Sequence, residues 1–124
     1  MQNPLTLSLY CAKMLNKILI KKEHVMIKAN EAAMRRLFSA VLSLETEEEC
    51  AAFFEDICTL REVQDLSQRL EVASMLHEGK NYIEISRETG ASTATICRVN
   101  KCLQNGSGGY LSVFAREAEQ EERK

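Results

Sequence analysis

The sequence predicts an all-α protein, and two observations carry that prediction. Helix breakers are rare, with one proline and five glycines among 124 residues, so helices can run without interruption. Apolar residues recur at intervals of three and four positions through most of the chain after Lys28, which is the period of an amphipathic helix. No convincing strand pattern is present, and a chain of this length fits one small domain.

Six helices are expected, most of them with a recognisable start or end. Thr46, Thr59 and Asn81 each precede a glutamate by three positions, which is the capping-box pattern of a helix start. Gly79 and Gly90 are expected to end the third and fourth helices, because glycine accepts the left-handed conformation that closes many helices. The expected helices span about residues 28–44, 46–57, 59–78, 81–90, 92–104 and 110–119.

Three segments are expected along the chain. Residues 1–25 form an N-terminal extension or a translated leader upstream of Met26, either disordered or folded as a helix. Residues 26–115 form the helical domain, and residues 116–124 form a charged C-terminal tail. No apolar run reaches the roughly 20 residues that a membrane span requires, so no membrane partner is expected.

The composition argues against several classes of protein. A net charge of −2 is unusual for a protein that coats nucleic acid without specificity, because such proteins are basic overall. The five cysteines include no Cys-x-x-Cys pair, and neither histidine lies near them in sequence, so no metal site is expected. The cysteines are expected to be reduced thiols that are mostly buried. No nucleophile, base and orienting residue share a recognisable spacing, so we expect neither an enzyme nor a cofactor.

The stretch from Tyr82 to Val99 has the pattern of a helix-turn-helix. Gly90 can supply the positive φ that a very short turn between two helices needs, and Ser86 is small where the helices approach each other. Ser92 is positioned to cap the second helix. The apolar seam between the two helices is expected to consist of Ile85, Ala91, Ile96 and Val99.

The second helix of this motif has an outer face without acidic residues. Hydroxyl and guanidinium groups on such a face can bond base edges or phosphates in the major groove of DNA, and methyl groups can contact thymine. Tyr82, on the first helix, is expected either to donate to a phosphate or to be a half-buried core residue. The predicted DNA contacts are Tyr82, Ser92, Thr93, Ala94, Thr95, Cys97, Arg98 and Lys101.

Three runs of residues carry a family resemblance, which covers about residues 28–115. They are Gln68-Arg69-Leu70-Glu71-Val72-Ala73, Glu78-Gly79-Lys80 and Glu88-Thr89-Gly90-Ala91-Ser92-Thr93-Ala94-Thr95-Ile96-Cys97-Arg98-Val99-Asn100. With these runs the chain resembles the Trp repressor superfamily, and within it the YerC/YecD branch of Trp-repressor-related proteins. The resemblance implies an intertwined homodimer of six-helix subunits, whose two reading heads face successive major grooves of a palindromic operator in double-stranded DNA.

The resemblance also implies an effector site. Arg69 and Arg98 stand where tryptophan-binding members carry two arginines, and Thr59 stands where they carry a threonine. Val99 replaces the glycine that leaves room for the indole ring in those members, and Cys102 replaces a serine near the ligand amine. Because packed interiors have no spare volume, tryptophan is not expected to be the effector. A different small molecule, or no effector at all, is expected instead.

The residues leave alternatives open. Arg69 can bind an effector carboxylate, or it can pair with Asp65 or Glu71 along its own helix. The leading functional prediction is a cytoplasmic, sequence-specific transcriptional regulator, by resemblance a repressor. The alternatives are a protein-interaction module that keeps the helix-turn-helix shape, and an RNA-binding adaptor, although the second helix has no aromatic side chain on which bases could stack.

Overall fold

The structure is a computed structural model that describes the backbone of residues 4–124 and, among these, the side chains of residues 12–17, 28 and 30–124. The described residues are helical throughout, with no strand, which confirms the predicted all-α class. The helices are α1 (Pro4–Leu42), α2 (Glu47–Ile57), α3 (Leu60–His77), α4 (Tyr82–Thr89), α5 (Thr93–Asn105) and α6 (Gly109–Glu122).

The first helix is longer than the sequence pattern indicates. It begins at Pro4 instead of near Lys28 and runs for 39 residues. No break in the helix marks the expected boundary between residues 25 and 26, and residues 1–3 lie outside the described part of the chain. The last turns of α1 carry large apolar side chains that are exposed in the single subunit, namely Met34, Leu37, Phe38, Val41 and Leu42.

The chain divides into two compact units, Met1–Ala51 and Ala52–Lys124. In the second unit α3 is the central helix, because it packs against α4, α5 and α6. The ring of Phe114 on α6 stacks on His77 of α3 with centroids 5.3 Å apart. The buried core of this unit consists of Val72, Ala73, Met75, Ile85, Ala91, Ile96, Val99, Leu103 and Phe114. The four residues predicted to form the seam of the helix-turn-helix are all buried here, so that prediction is confirmed.

The predicted helix starts are stabilised by their caps. At Thr59 the capping box is complete, with Glu62 N–H donating to Thr59 Oγ1 at 3.2 Å and Thr59 N–H donating to Glu62 Oε2 at 2.8 Å. At Thr46 the hydroxyl accepts from Glu49 N–H at 3.1 Å, whereas the Glu49 carboxylate accepts from Glu45 N–H at 2.8 Å. These bonds satisfy N–H groups that have no partner inside the helix.

The expectation that the cysteines are mostly buried is wrong for the described ones. Cys50 and Cys58 are half-buried, Cys97 and Cys102 are exposed, and all four are free thiols. The reason lies in the helical period of α5, where Ile96, Val99 and Leu103 take the buried face and leave Cys97 and Cys102 outside it.

Candidate nucleic-acid interface

The turn between α4 and α5 is held by hydrogen bonds on both sides. Gly90 ends α4 with a φ of +71°, as predicted, and its N–H donates to the Ser86 carbonyl oxygen at 2.9 Å. The Ser86 hydroxyl donates to the Ala91 carbonyl oxygen at 2.8 Å, which requires a small side chain where the helices come close. Ser92 caps α5 as predicted, with its Oγ accepting from Thr95 N–H at 3.2 Å. The start of α5 is therefore fixed relative to α4.

Two longer-range hydrogen bonds tie the motif together. Gln68 Nε2, on α3, donates to the Thr89 carbonyl oxygen at 3.1 Å and holds the end of α4. Asn100 Nδ2 donates to the Tyr82 hydroxyl oxygen at 3.1 Å and joins α5 to the first turn of α4. Tyr82 is half-buried and packs against the core, in agreement with the core alternative. Since a hydroxyl both accepts and donates, the Tyr82 O–H can still donate to a phosphate.

The outer face of α5 is exposed and free of acidic side chains. It lies away from the buried residues Ile96, Val99 and Leu103. The helix has 13 residues, so it is about 20 Å long, and its N-terminus carries the partial positive charge that favours anions. The exposed residues among the predicted contacts, including the cap, are Ser92, Thr93, Ala94, Cys97, Arg98 and Lys101.

Thr95 occupies a different flank of α5 from these exposed contacts. It is half-buried, its hydroxyl oxygen lies 3.0 Å from Ser92 Oγ, and its side chain lines a cavity together with Arg69 of α3. Its hydroxyl is thus engaged within the protein, at the cap of the recognition helix. A direct contact between Thr95 and DNA stays a prediction.

A cavity of about 290 Å³ lies between α3, α5 and the start of α6. It brings together Arg69 and Arg98, the two arginines expected at an effector site, and Val99 and Cys102 also line it. Thr59 is not among the lining residues, and in the single subunit its hydroxyl caps α3. Val99 is 3% exposed and forms part of the wall, yet a cavity persists beside it. The exclusion of tryptophan by Val99 therefore stays a prediction.

Three lining residues were not singled out as effector ligands from the sequence: Asp65, Gln68 and Tyr110. Asp65 precedes Arg69 by four positions on α3, a spacing that places both on one side of a helix, so its presence could have been expected. Tyr110 comes from another helix, and no local pattern indicates its approach. Asp65 pairs with Arg61, with Nε and Oδ1 3.5 Å apart, and among the described residues Arg69 forms no ion pair with a carboxylate.

The described residues offer neither a metal site nor a membrane span. Among the side chains that are described, no group of three His, Cys, Asp or Glu residues is placed to hold a metal ion. Within the described helices, none combines the length and apolar character needed to cross a membrane.

Two short helices joined by a capped turn, with a cationic face on the second helix, define a helix-turn-helix protein. The family described as Trp repressor protein matches residues 32–118, which is more than half of the chain. The chain belongs to the Trp repressor family. Membership of this family indicates a helix-turn-helix DNA-binding regulator, since the proteins of this family are regulators and not enzymes.

Individual relatives agree with the family assignment. The chain is 54% identical over 86 residues to the uncharacterized protein YerC of Bacillus subtilis (strain 168), an alignment that covers 69% of this chain and 83% of YerC. It is similar to the crystal structure of a Trp repressor candidate from Staphylococcus aureus, with 50% identity, a TM-score of 0.68 and coverage of 70% of this chain and 87% of that one. It is also similar to a TrpR-like protein from Eubacterium eligens ATCC 27750, with 52% identity, a TM-score of 0.69 and coverage of 70% and 90%.

Proposed function

We propose that this chain is a cytoplasmic, sequence-specific transcriptional repressor that binds a palindromic operator as a homodimer. The observation that supports this most directly is the acid-free outer face of α5, presented by a turn that hydrogen bonds fix on both sides. A helix held in this way can place short donors against base edges in the major groove, which is about 12 Å wide. The proposal takes residues 26–115 as the DNA-binding domain and residues 116–124 as a charged tail.

The residues of this face divide into two groups by their chemistry. Arg98 and Lys101 are exposed cations; arginine suits forked contacts to guanine or phosphate, and lysine acts as a point charge on phosphate. Thr93, Ala94 and Cys97 are short enough to let the helix backbone approach the bases closely. Ser92 and Tyr82 are suited to phosphate contacts at the rim of the motif, and Thr95 contributes through the cap of α5.

The proposed homodimer is supported by apolar surface on the second unit. A large apolar groove beside Leu70 and Val113 is open in the single subunit. Monomeric proteins rarely leave so many large apolar side chains uncovered, and a second copy of the chain would offer the same faces in a symmetric contact. The exposed apolar side chains of α2, α3 and α6 are Ile57, Leu60, Leu66, Leu70, Leu111 and Val113.

The cavity beside α5 is the proposed effector site. Arg69 and Arg98 line it from α3 and α5, so an occupant would contact both the central helix and the recognition helix. Val99 narrows the cavity where the family resemblance implies an indole ring, and we therefore propose that the effector is not tryptophan. Thr59, which the resemblance also assigns to this site, is the third proposed effector residue.

Selection of binding sites from random duplex DNA tests the function. We expect the full chain to enrich a palindrome whose half-site centres lie about 34–36 Å apart, with an affinity that falls steeply as salt rises. The double variant Arg98→Ala/Lys101→Ala should lose this binding. The matched control is Arg116→Ala/Arg123→Ala, which removes two positive charges from the C-terminal region and should keep it.

Three outcomes would contradict the proposal. If no palindrome is enriched at moderate salt, the chain is not a sequence-specific regulator. A preference for single-stranded RNA over duplex DNA would indicate the adaptor alternative. Capture of a protein partner without any shift of genomic fragments would indicate the interaction module.

A further inference from the structure

The cavity between α3 and α5 is lined by two cations that no carboxylate neutralises. Neither Arg69 nor Arg98 forms an ion pair with an acidic side chain of the described residues. Asp65 is the acidic residue of the lining, and its carboxylate is already paired with Arg61 at 3.5 Å. A guanidinium stays charged at every relevant pH. The cavity therefore carries two permanent positive charges with no partner in the described part of the chain.

Two like charges that line one cavity repel each other unless an anion lies between them. Scattered arginines on a surface need no such explanation, because water and salt screen them. Here Arg69 is half-buried, and both guanidinium-bearing side chains border the same space of about 290 Å³. Paired arginines are also the side chains best suited to bind a carboxylate or phosphate through two parallel hydrogen bonds.

We propose that this cavity binds a small organic anion that carries two negative charges, either a phosphate monoester or a dicarboxylate. The regulatory part of this inference rests on the proposed function, because the anion would act as the effector of DNA binding. Two guanidinium groups match two negative charges. An amino acid such as tryptophan presents one carboxylate and one ammonium group, and the ammonium group would face the same two cations.

The size and lining of the cavity agree with such a ligand. Its volume lies at the lower end of the range of about 300–1,000 Å³ that is usual for ligand pockets, so the occupant is small. Gln68, Thr95 and Tyr110 add neutral hydrogen-bonding groups. The apolar part of the lining consists of Val99, the thiol of Cys102 and the ring of Tyr110, which is little surface for a large aromatic ligand.

Two of the lining residues also hold the turn of the helix-turn-helix. Gln68 Nε2 donates to the carbonyl oxygen of Thr89, just before Gly90. The Thr95 hydroxyl lies 3.0 Å from Ser92 Oγ, just after the turn. An anion that draws either side chain into a new hydrogen bond would change the support of the turn on one side. Occupation of the cavity is thereby coupled to the orientation of α5.

Calorimetry on the full chain without DNA tests the binding step. At constant ionic strength the probes are glycerol 3-phosphate, succinate, acetate and L-tryptophan. We expect at least one of the two dianions to bind about tenfold or more tightly than acetate and tryptophan, and comparison of the two dianions separates phosphate from dicarboxylate recognition. Failure of both dianions to bind at millimolar concentration, or tighter binding of tryptophan, would overturn the inference.

Variants locate the site and test the charge argument. Arg69→Gln and Arg98→Gln should each weaken dianion binding by about tenfold or more, whereas Arg87→Gln, which removes a charge of α4 away from the cavity, should not. Asp65→Asn should leave dianion binding unchanged or tighten it, since it removes the acidic group from the lining. Weaker binding by Asp65→Asn would instead indicate a ligand with a positive group and would overturn the inference.

The coupling to DNA is measured separately. Saturating dianion should change the affinity for the selected operator at least about fivefold at constant ionic strength, which is the lower end of common allosteric effects. Thr95→Val should keep dianion binding and reduce this effect. Dianion binding without any DNA binding would reject the proposed function and leave the anion site standing. Equal weakening of every duplex by the anion would assign the two arginines to DNA phosphates and overturn the inference.

Discussion

The side-chain amide of Asn100 donates a hydrogen bond to the hydroxyl oxygen of Tyr82 across 3.1 Å. This bond joins the middle of α5 to the first turn of α4, at the opposite end of α4 from the Gly90 turn. The two helices are therefore tied at both ends of α4, by the turn at one end and by this pair at the other. The polar pair complements the apolar seam, because a hydrogen bond depends on direction whereas apolar contacts do not.

Tyr82→Phe should lower the free energy of unfolding by about 0.5–1.5 kcal/mol, the usual net contribution of one hydrogen bond. Urea denaturation of Tyr82→Phe, Asn100→Ala and the double variant measures the coupling between the two side chains. The double variant should be less destabilised than the sum of the single variants. Strict additivity would show that the bond contributes nothing to stability.

Gly90→Ala should destabilise the fold by about 1–2 kcal/mol, the cost of placing an L side chain in the left-handed region. The cost comes from the φ of +71° alone, because a Cβ at this position would meet no atom within 4 Å. Gly90→Asn should cost less, since asparagine tolerates this conformation. The control is Gly109→Ala in α6, which has no positive φ and open space around it; it should leave the urea midpoint unchanged or raise it. Equal costs at both positions would contradict the turn argument.

Thr59→Ala should reduce the free energy of unfolding by about 1 kcal/mol, as the loss of an N-cap typically does. The reason is the capping box, in which Thr59 Oγ1 accepts from Glu62 N–H. Thr59→Ser should keep most of the stability, because the serine hydroxyl can accept the same bond. A separate measurement of dianion binding decides the role implied by resemblance: weaker binding by Thr59→Ser would show that the threonine methyl group contacts the effector.

Lys101→Ala should weaken binding to all duplexes by a similar factor, because a lysine on phosphate carries no sequence information. The slope of log K against log salt should become less negative by about 0.9 for each DNA phosphate that the lysine neutralises, and by about twice that in a dimer. Lys124→Ala in the C-terminal tail is the control and should leave the slope unchanged. A change in sequence preference without a change in slope would place Lys101 on bases instead.

Leu66→Glu should convert the proposed homodimer to monomer. Leu66 is 47% exposed on α3 in the single subunit, and burying an unpaired carboxylate in an apolar contact costs several kcal/mol. Sedimentation equilibrium measures the state, with Gln64→Glu on the exposed surface of the same helix as the control. If Leu66→Glu sediments like the unmodified chain, α3 does not form the contact between subunits.

The sequence by itself determined the parts of this protein that depend on neighbouring residues. The left-handed glycine at position 90, the caps at Thr59 and Ser92 and the apolar seam all follow from spacings of three or four positions, and at that distance the helical period fixes which side chains meet. The family resemblance rests on the same local runs and is confirmed by the match over residues 32–118.

Only the tertiary structure decided which faces meet across helices. Gln68 reaches Thr89 and Asn100 reaches Tyr82 over separations of 21 and 18 residues, and no periodicity indicates such pairs. The same holds for the cavity, where Arg69 and Arg98 line one space while Asp65 is paired with Arg61. Thr95 lies on the cavity flank and not on the predicted reading face for this reason: the helical period places a residue on a side of α5, but the packing of α3 determines what that side faces.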